Sequence, residues 1–183
     1  NCSDLSVSNV AIYSEMGTDG KAIRPFSVYS VTRLTVYRMA VEAPNCNTPI
    51  FFNQDKDCVI SYLTVKCNKA NNQPAIYIGD WPWGAGEGYV FNNILVDSAY
   101  MPFTVEDNND VVISDSIFYD CNASDIRDAE VTFNNCQNFV VDENNPELKE
   151  VAGYILTSTM PGDLYKNIGW HTVPEPAFFG LLA

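Results

Sequence analysis

The residues best suited to chemistry in this 183-residue chain gather around one segment. Gly79-Asp80-Trp81-Pro82-Trp83-Gly84-Ala85-Gly86-Glu87-Gly88 carries two of the three tryptophans and begins two residues after Tyr77. Aromatic faces pack on the apolar face of a pyranose, and neighbouring carboxylates and amides bind its hydroxyls. Trp81, Trp83, Tyr77, Phe51, Asp80, Asn53 and Glu106 therefore form a candidate carbohydrate-binding set. Large aromatics are also mostly buried in folded proteins. A second reading accordingly folds the two indoles back over Phe51 and Tyr77 as a satellite apolar cluster.

A second group is acidic. Glu106, Asp107 and Asp110 share one turn, and Glu130 follows further on. A glycosidase needs two carboxyls about 5–9 Å apart, and spacing alone does not establish such a pair here. Asp107 and Asp110 are a weak calcium candidate, because that ion requires several more oxygen ligands. The same turn also reads as a solvated edge that discourages strand pairing. No other cofactor is expected, and no complete catalytic set is visible. His171 is the lone histidine and lacks positioned partners for acid–base work. The six cysteines (Cys2, Cys46, Cys58, Cys67, Cys121 and Cys136) contain no CxxC, which disfavours zinc.

Composition narrows the partners. Apolar residues make up 46% and charged residues 18%, a globular balance with room for one core. Ten Lys and Arg against 23 Asp and Glu leave a net charge of −13, which argues against nucleic acid and anionic lipid. No apolar run approaches the roughly 20 residues of a spanning helix. Asparagine stands at 19 positions, and with glycine and β-branched residues it points to many strands and tight turns.

The elements that position these groups follow from a repeat. One pattern recurs: apolar, any, apolar, two of any kind, apolar, any, apolar. Its copies are Leu5/Val7/Val10/Ile12, Leu34/Val36/Met39/Val41, Cys58/Ile60/Leu63/Val65, Tyr89/Phe91/Ile94/Val96 and Val111/Ile113/Ser116/Phe118. A sixth begins at Phe139 and Val141 and fails at Asn144 and Pro146. The period-2 halves are short strands, and the two-residue gap turns the chain between them. A separate strand precedes most units, with inward pairs Phe26/Val28, Ile50/Phe52, Ile76/Ile78, Phe103/Val105 and Val131/Phe133. From four of these strands to the next unit is six residues, while Ile78 to Tyr89 is eleven, a single five-residue insertion.

Three short strands per 22–31 residues, with no helical period between them, predict a coil that stacks on itself and buries its inner face against neighbours. The fold expected is an all-β parallel β-helix of five to six coils, open at its N-terminal edge. Alternation then puts Ser27, Phe51, Tyr77, Thr104 and Thr132 in one outward row, and Tyr29, Asn53, Gly79, Glu106 and Asn134 in the next. Neither row contains Lys or Arg. Cys58 falls inward, and Cys2 and Cys136 share a register several coils apart. Cys46 and Cys67, in long loops of neighbouring coils, admit a bridge in an exported protein; the alternative keeps most thiols reduced and packed.

The repeat resembles the right-handed single-stranded β-helix, or pectin-lyase-like, superfamily over residues 1 to about 170. Asn109-Asp110-Val111-Val112-Ile113-Ser114-Asp115-Ser116-Ile117-Phe118 is similar to that family's repeat unit, and segments from Gly153 to Gly169 look like its closing segment. The organisation expected is coils over 1–144, a closing cap over 145–170 and a tail over 171–183. In the tail, Val173-Pro174-Glu175-Pro176 and the apolar Ala177 to Ala183 resemble the start of a PEP-CTERM sorting signal, without its basic cluster.

The resemblances imply an exported surface protein of a Gram-negative bacterium. Its expected partner is polysaccharide or exopolysaccharide, and it would meet membrane only through a C-terminal anchor. Lyases of the superfamily use Lys or Arg as base and charge neutraliser, and its hydrolases use clustered Asp. Three readings stay open: a polysaccharide-binding or scaffold β-helix, a lyase or glycoside hydrolase with catalytic residues partly outside this chain, and a purely structural rod.

Overall fold

The computed structural model describes residues 2–14, 24–68, 70, 72–80, 84, 86–106, 109–122, 124–127 and 129–139, the last three of these by backbone alone. The expected cap over 145–170, the tail with Val173 to Pro176, and His171 lie outside the described residues. Among the described residues the elements are all β-strands, and no helix is long and apolar enough to cross a membrane.

One sheet stacks β1 (Cys2–Tyr13), β3 (Val31–Glu42), β5 (Lys56–Lys66) and β7 (Glu87–Asp97). It continues as β9 (Asp110–Ser114) with β10 (Ile117–Tyr119), then β12 (Glu130–Asn134) with β13 (Gln137–Phe139). The second sheet stacks β2 (Phe26–Tyr29), β4 (Ile50–Asn53), β6 (Pro74–Gly79), β8 (Met101–Val105) and β11 (Asp125–Ile126). All pairs are parallel, and the chain passes from one sheet to the other in each coil. This is a parallel β-helix of five to six coils.

The register follows the repeat. Val7, Val36, Ile60, Phe91 and Ile113 lie one above the next, as do Val10, Met39, Leu63 and Ile94. Val36, Met39, Ile60, Leu63, Phe91, Ile94 and Ile113 have no exposed surface. The two-residue gap has a physical identity. Its second member is left-handed in every coil: Asn9, Arg38, Tyr62, Asn93, Asp115 and Asn135 have φ between 48° and 58°. Among residues other than glycine, Asn and Asp tolerate that region best, so Arg38 and Tyr62 sit in it against preference. The kink breaks the alternation once, so that both arms of the unit face inward.

Phenylalanines thread the interior edge to face. Phe26–Phe52, Phe52–Phe91, Phe91–Phe103, Phe103–Phe118 and Phe118–Phe133 have centroid separations of 6.1, 5.9, 5.2, 5.7 and 6.4 Å. Each such contact adds about 0.5–1.5 kcal/mol to what burial supplies.

The last coil differs from the expectation. Val131 and Phe133 do not precede a unit in the second sheet; they pair with Val111 and Ile113 and form the first arm of the sixth unit. Phe139 pairs with Tyr119 at the end of that unit rather than opening it. The six residues from Phe133 to Phe139 matched the earlier spacing by coincidence. The true strand of the second sheet in this coil is the two-residue Asp125–Ile126, too short to show alternation. Cys136 therefore follows the kink, with its Sγ against the Ile113 carbonyl at 3.4 Å, and does not share the register of Cys2, which pairs with Val31.

A buried carboxylate ties successive coils. Asp55 has no exposed surface; its Oδ1 accepts from the Val31 amide at 2.8 Å and its Oδ2 from the Asn53 amide at 3.1 Å. Burial pushes its carboxyl up to about 6, the two amides offsetting only part of that. The fold thus holds this proton more tightly than the unfolded chain. The associated stability is present at pH 4 and lost as pH rises through 6, a difference on the order of 2–3 kcal/mol. Denaturant unfolding at pH 4 and pH 7 is expected to show Asp55→Asn losing that much less than the parent over the interval. Phe91→Ala is expected to cost about 3–5 kcal/mol in the same assay.

Candidate functional site

The outward face of the second sheet carries the site. Backbone pairing puts Ser27, Phe51, Tyr77, Thr104 and Asp125 in one row. Tyr29, Asn53 and Gly79 start the next, and it continues through Glu106 and Arg127, whose amides donate to the Ile78 and Val105 carbonyls at 2.9 and 3.0 Å. Asp125 and Arg127 thus occupy the places expected for Thr132 and Asn134, and the outward rows do contain an arginine.

The aromatic members form a stack. Phe51 and Tyr77 lie 5.4 Å apart at an interplanar angle of 18°, and Tyr29 lies 5.3 Å from Phe51. The Arg24 guanidinium stands 3.8 Å over the Phe51 ring, and its Nη1 donates to the Tyr29 hydroxyl at 3.2 Å. Phe51 points outward as alternation requires, yet only 6% of it is exposed; it supports the rings beside it. Tyr29 is 53% exposed and Tyr77 half-buried.

Glu106 holds the other end of the stack. It accepts from the Tyr77 hydroxyl, from the Asp80 amide at 3.2 Å and from Arg127 Nη1 at 3.3 Å. Arg127 also clasps Asp125 Oδ2 through Nη2 at 3.0 Å and Nε at 3.1 Å. Burial acts to raise the Glu106 carboxyl, but the Tyr77 and Asp80 hydrogen bonds and the Arg127 charge outweigh it, so the group lies below its ordinary value. Burial first, and then donation to Glu106, raise the Tyr77 phenol well above its ordinary value. Tyr77 is therefore a hydrogen-bond donor locked in place and does not serve as a base.

Gly79 makes this packing fit. A Cβ there would stand 2.9 Å from Tyr77 Cε1 and 3.4 Å from Glu106 Oε2, so the ring and the carboxylate lie directly over its backbone.

Of the candidate set, Phe51, Tyr77, Asp80 and Glu106 come together. Asn53 is 4% exposed, and its amide serves Asp55. Trp81, Trp83 and Asp107 lie outside the described residues. Asp110 is exposed at the start of β9 and pairs in register with Glu130, away from the Glu106 cluster's own sheet. Among the described residues no three His, Cys, Asp or Glu side chains gather as metal ligands. All six cysteines are free thiols; Cys46 donates to Ser14 Oγ at 3.4 Å, and burial pushes the inward Cys58 up to about 12.

Sequence reasoning missed Arg127 and Asp125 because Val131/Phe133 was placed in their strand. It placed Arg24 in a loop able to approach this strand from one side, but its seat over Phe51 was not legible, because loop residues carry no alternation. Gly79 gave a legible signal, a glycine at an outward position beside a tyrosine.

No family model, curated protein or solved structure matches the chain.

Glu106→Gln is expected to destabilise the fold by about 1–2 kcal/mol at pH 7, through weakened bonds to Tyr77 and Arg127. Because the native carboxyl lies below its unfolded value, the loss relative to the parent shrinks as pH falls below 4. Paired denaturant titrations at pH 7 and pH 3 check both the size and the sign.

Proposed function

We propose that this protein is an exported, cell-surface β-helix of the pectin-lyase-like kind that binds or supports polysaccharide along the outward face of its second sheet. The observation that carries the reading is the Tyr29–Phe51–Tyr77 stack, built from two neighbouring outward rows. Outward positions of a β-helix need no apolar surface for stability, and three adjacent coils place rings there, rimmed by Arg24, Glu106 and Arg127. The exposed ring of Tyr29 and the partly exposed Tyr77 offer stacking surface, and the charged rim offers partners for sugar hydroxyls. Trp81 and Trp83 follow Asp80 directly in the sequence, and the Asp80 amide donates to Glu106 at the Tyr77 end of this stack, which keeps both in the candidate set. The repeat unit Asn109 to Phe118 and the Val173 to Pro176 motif support the superfamily and the exported location.

One observation favours the enzymatic alternative. Arg127 stands in the outward row within 3.3 Å of Glu106, the cation-beside-carboxylate arrangement that a lyase of the superfamily would need. Against it, Arg127 is neutralised by two carboxylates and Tyr77 is held as a phenol. Binding is the better reading of that geometry.

A glycan array probed with the intact chain separates these readings. The parent is expected to retain a defined set of polysaccharides. The Trp81→Ala/Trp83→Ala and Tyr29→Ala/Tyr77→Ala double variants are expected to lose at least about tenfold in affinity, as two stacked rings are worth. A parent that binds no glycan defeats the proposal. Unsaturated uronate appearing in the ultraviolet on incubation with a retained glycan would establish the lyase instead.

A further inference from the structure

In sequence, Asp120-Cys121-Asn122-Ala123-Ser124 stands between β10 and β11. Asparagine, a residue other than proline, then serine is the acceptor triplet for N-linked glycan transfer, a reaction that needs an accessible surface loop. An asparagine-rich chain acquires such triplets by chance, so placement has to decide. Asn122 is exposed, and it belongs to no strand. Its backbone amide donates to the Tyr100 carbonyl at 3.1 Å. Cys121 before it is buried, with Sγ against the Tyr119 carbonyl at 3.2 Å, which anchors the segment so that the next side chain turns outward. Asp120, left-handed at φ 48°, swings the chain out of β10 and sets a carboxylate two residues ahead of the acceptor.

We propose that Asn122 is an N-glycosylation site, taking an oligosaccharide from a lipid-pyrophosphate donor. In the transfer, Asn122 Nδ2 attacks the anomeric carbon and a C–N bond forms. The C–O bond to pyrophosphate breaks, the lipid pyrophosphate departs with the electron pair, and one amide proton passes to the transferase. The Ser124 hydroxyl is the part of the triplet that the transferase reads. Ser124 directly precedes Asp125, so the glycan would stand at the C-terminal end of the outward row, near Arg127.

The test fuses a secretion leader to the full chain, which makes it independent of whether the native protein is exported. The host is a bacterium equipped with an oligosaccharyl transferase and its lipid-linked donor, and a known acceptor tag follows Ala183. Intact mass and peptide mapping are expected to show one oligosaccharide on the Asn122 peptide. Asn122→Gln and, as a second variant with the asparagine intact, Ser124→Ala should each abolish it. An unmodified Asn122 beside a fully modified tag overturns the proposal, as does modification confined to Asn1, which heads the other triplet, Asn1-Cys2-Ser3.

Discussion

The stacking of coils in fixed register is the constraint on which the rest depends. Parallel strands in both sheets hydrogen-bond each coil to the next, so one residue's position fixes that of its counterparts above and below. A slip of one residue would turn Phe52, Phe91 and Phe103 outward together. The edge-to-face phenylalanines make that slip costly, because each ring meets one from another strand. The left-handed kinks serve the same end at the backbone, resetting the alternation at the same place in every coil.

A chain of buried polar groups runs alongside the apolar interior and reaches the site. Asp55 binds the Val31 amide of the coil before it, and the Tyr89 hydroxyl of the coil after it accepts from the Asp55 amide at 3.1 Å. Gly86 packs against that same hydroxyl and the Asp55 carbonyl, leaving no room for a side chain, and its amide donates to Asn109 Oδ1 at 3.0 Å. Asn109 Nδ2 in turn donates to the Glu106 carbonyl at 2.8 Å. The turn that presents the Glu106 carboxylate to Tyr77 and Arg127 is thus braced from inside the helix. Buried polar groups paired in this way rigidify what they hold.

The site's electrostatics run against the whole chain's charge. The molecule carries −13, yet Arg24 and Arg127 stand at the two ends of the aromatic row. Each is engaged, Arg24 by a ring and a phenol and Arg127 by two carboxylates. Both guanidinium groups are therefore fixed in place, two local cations held in an otherwise acidic field.

The sequence by itself determined the coil. Inward apolar pairs such as Val36/Met39 and Ile60/Leu63, separated by a constant gap, leave few ways to bury every one of them, and the stacked β-helix does so. It also determined that Phe51 and Tyr77 point outward, because strand alternation is a property of the local backbone. Tertiary structure decided the rest. Asp125–Ile126 pairs with β8 only because the coil must close there; nothing in two residues of mixed character announces a strand. That closure brought Arg127 to Glu106 and moved Val131 and Phe133 to the other sheet. The covering of Phe51 by Arg24, and the fit of Tyr77 over Gly79, likewise arise from coils meeting at a spacing of about 4.8 Å, a distance that no local pattern encodes.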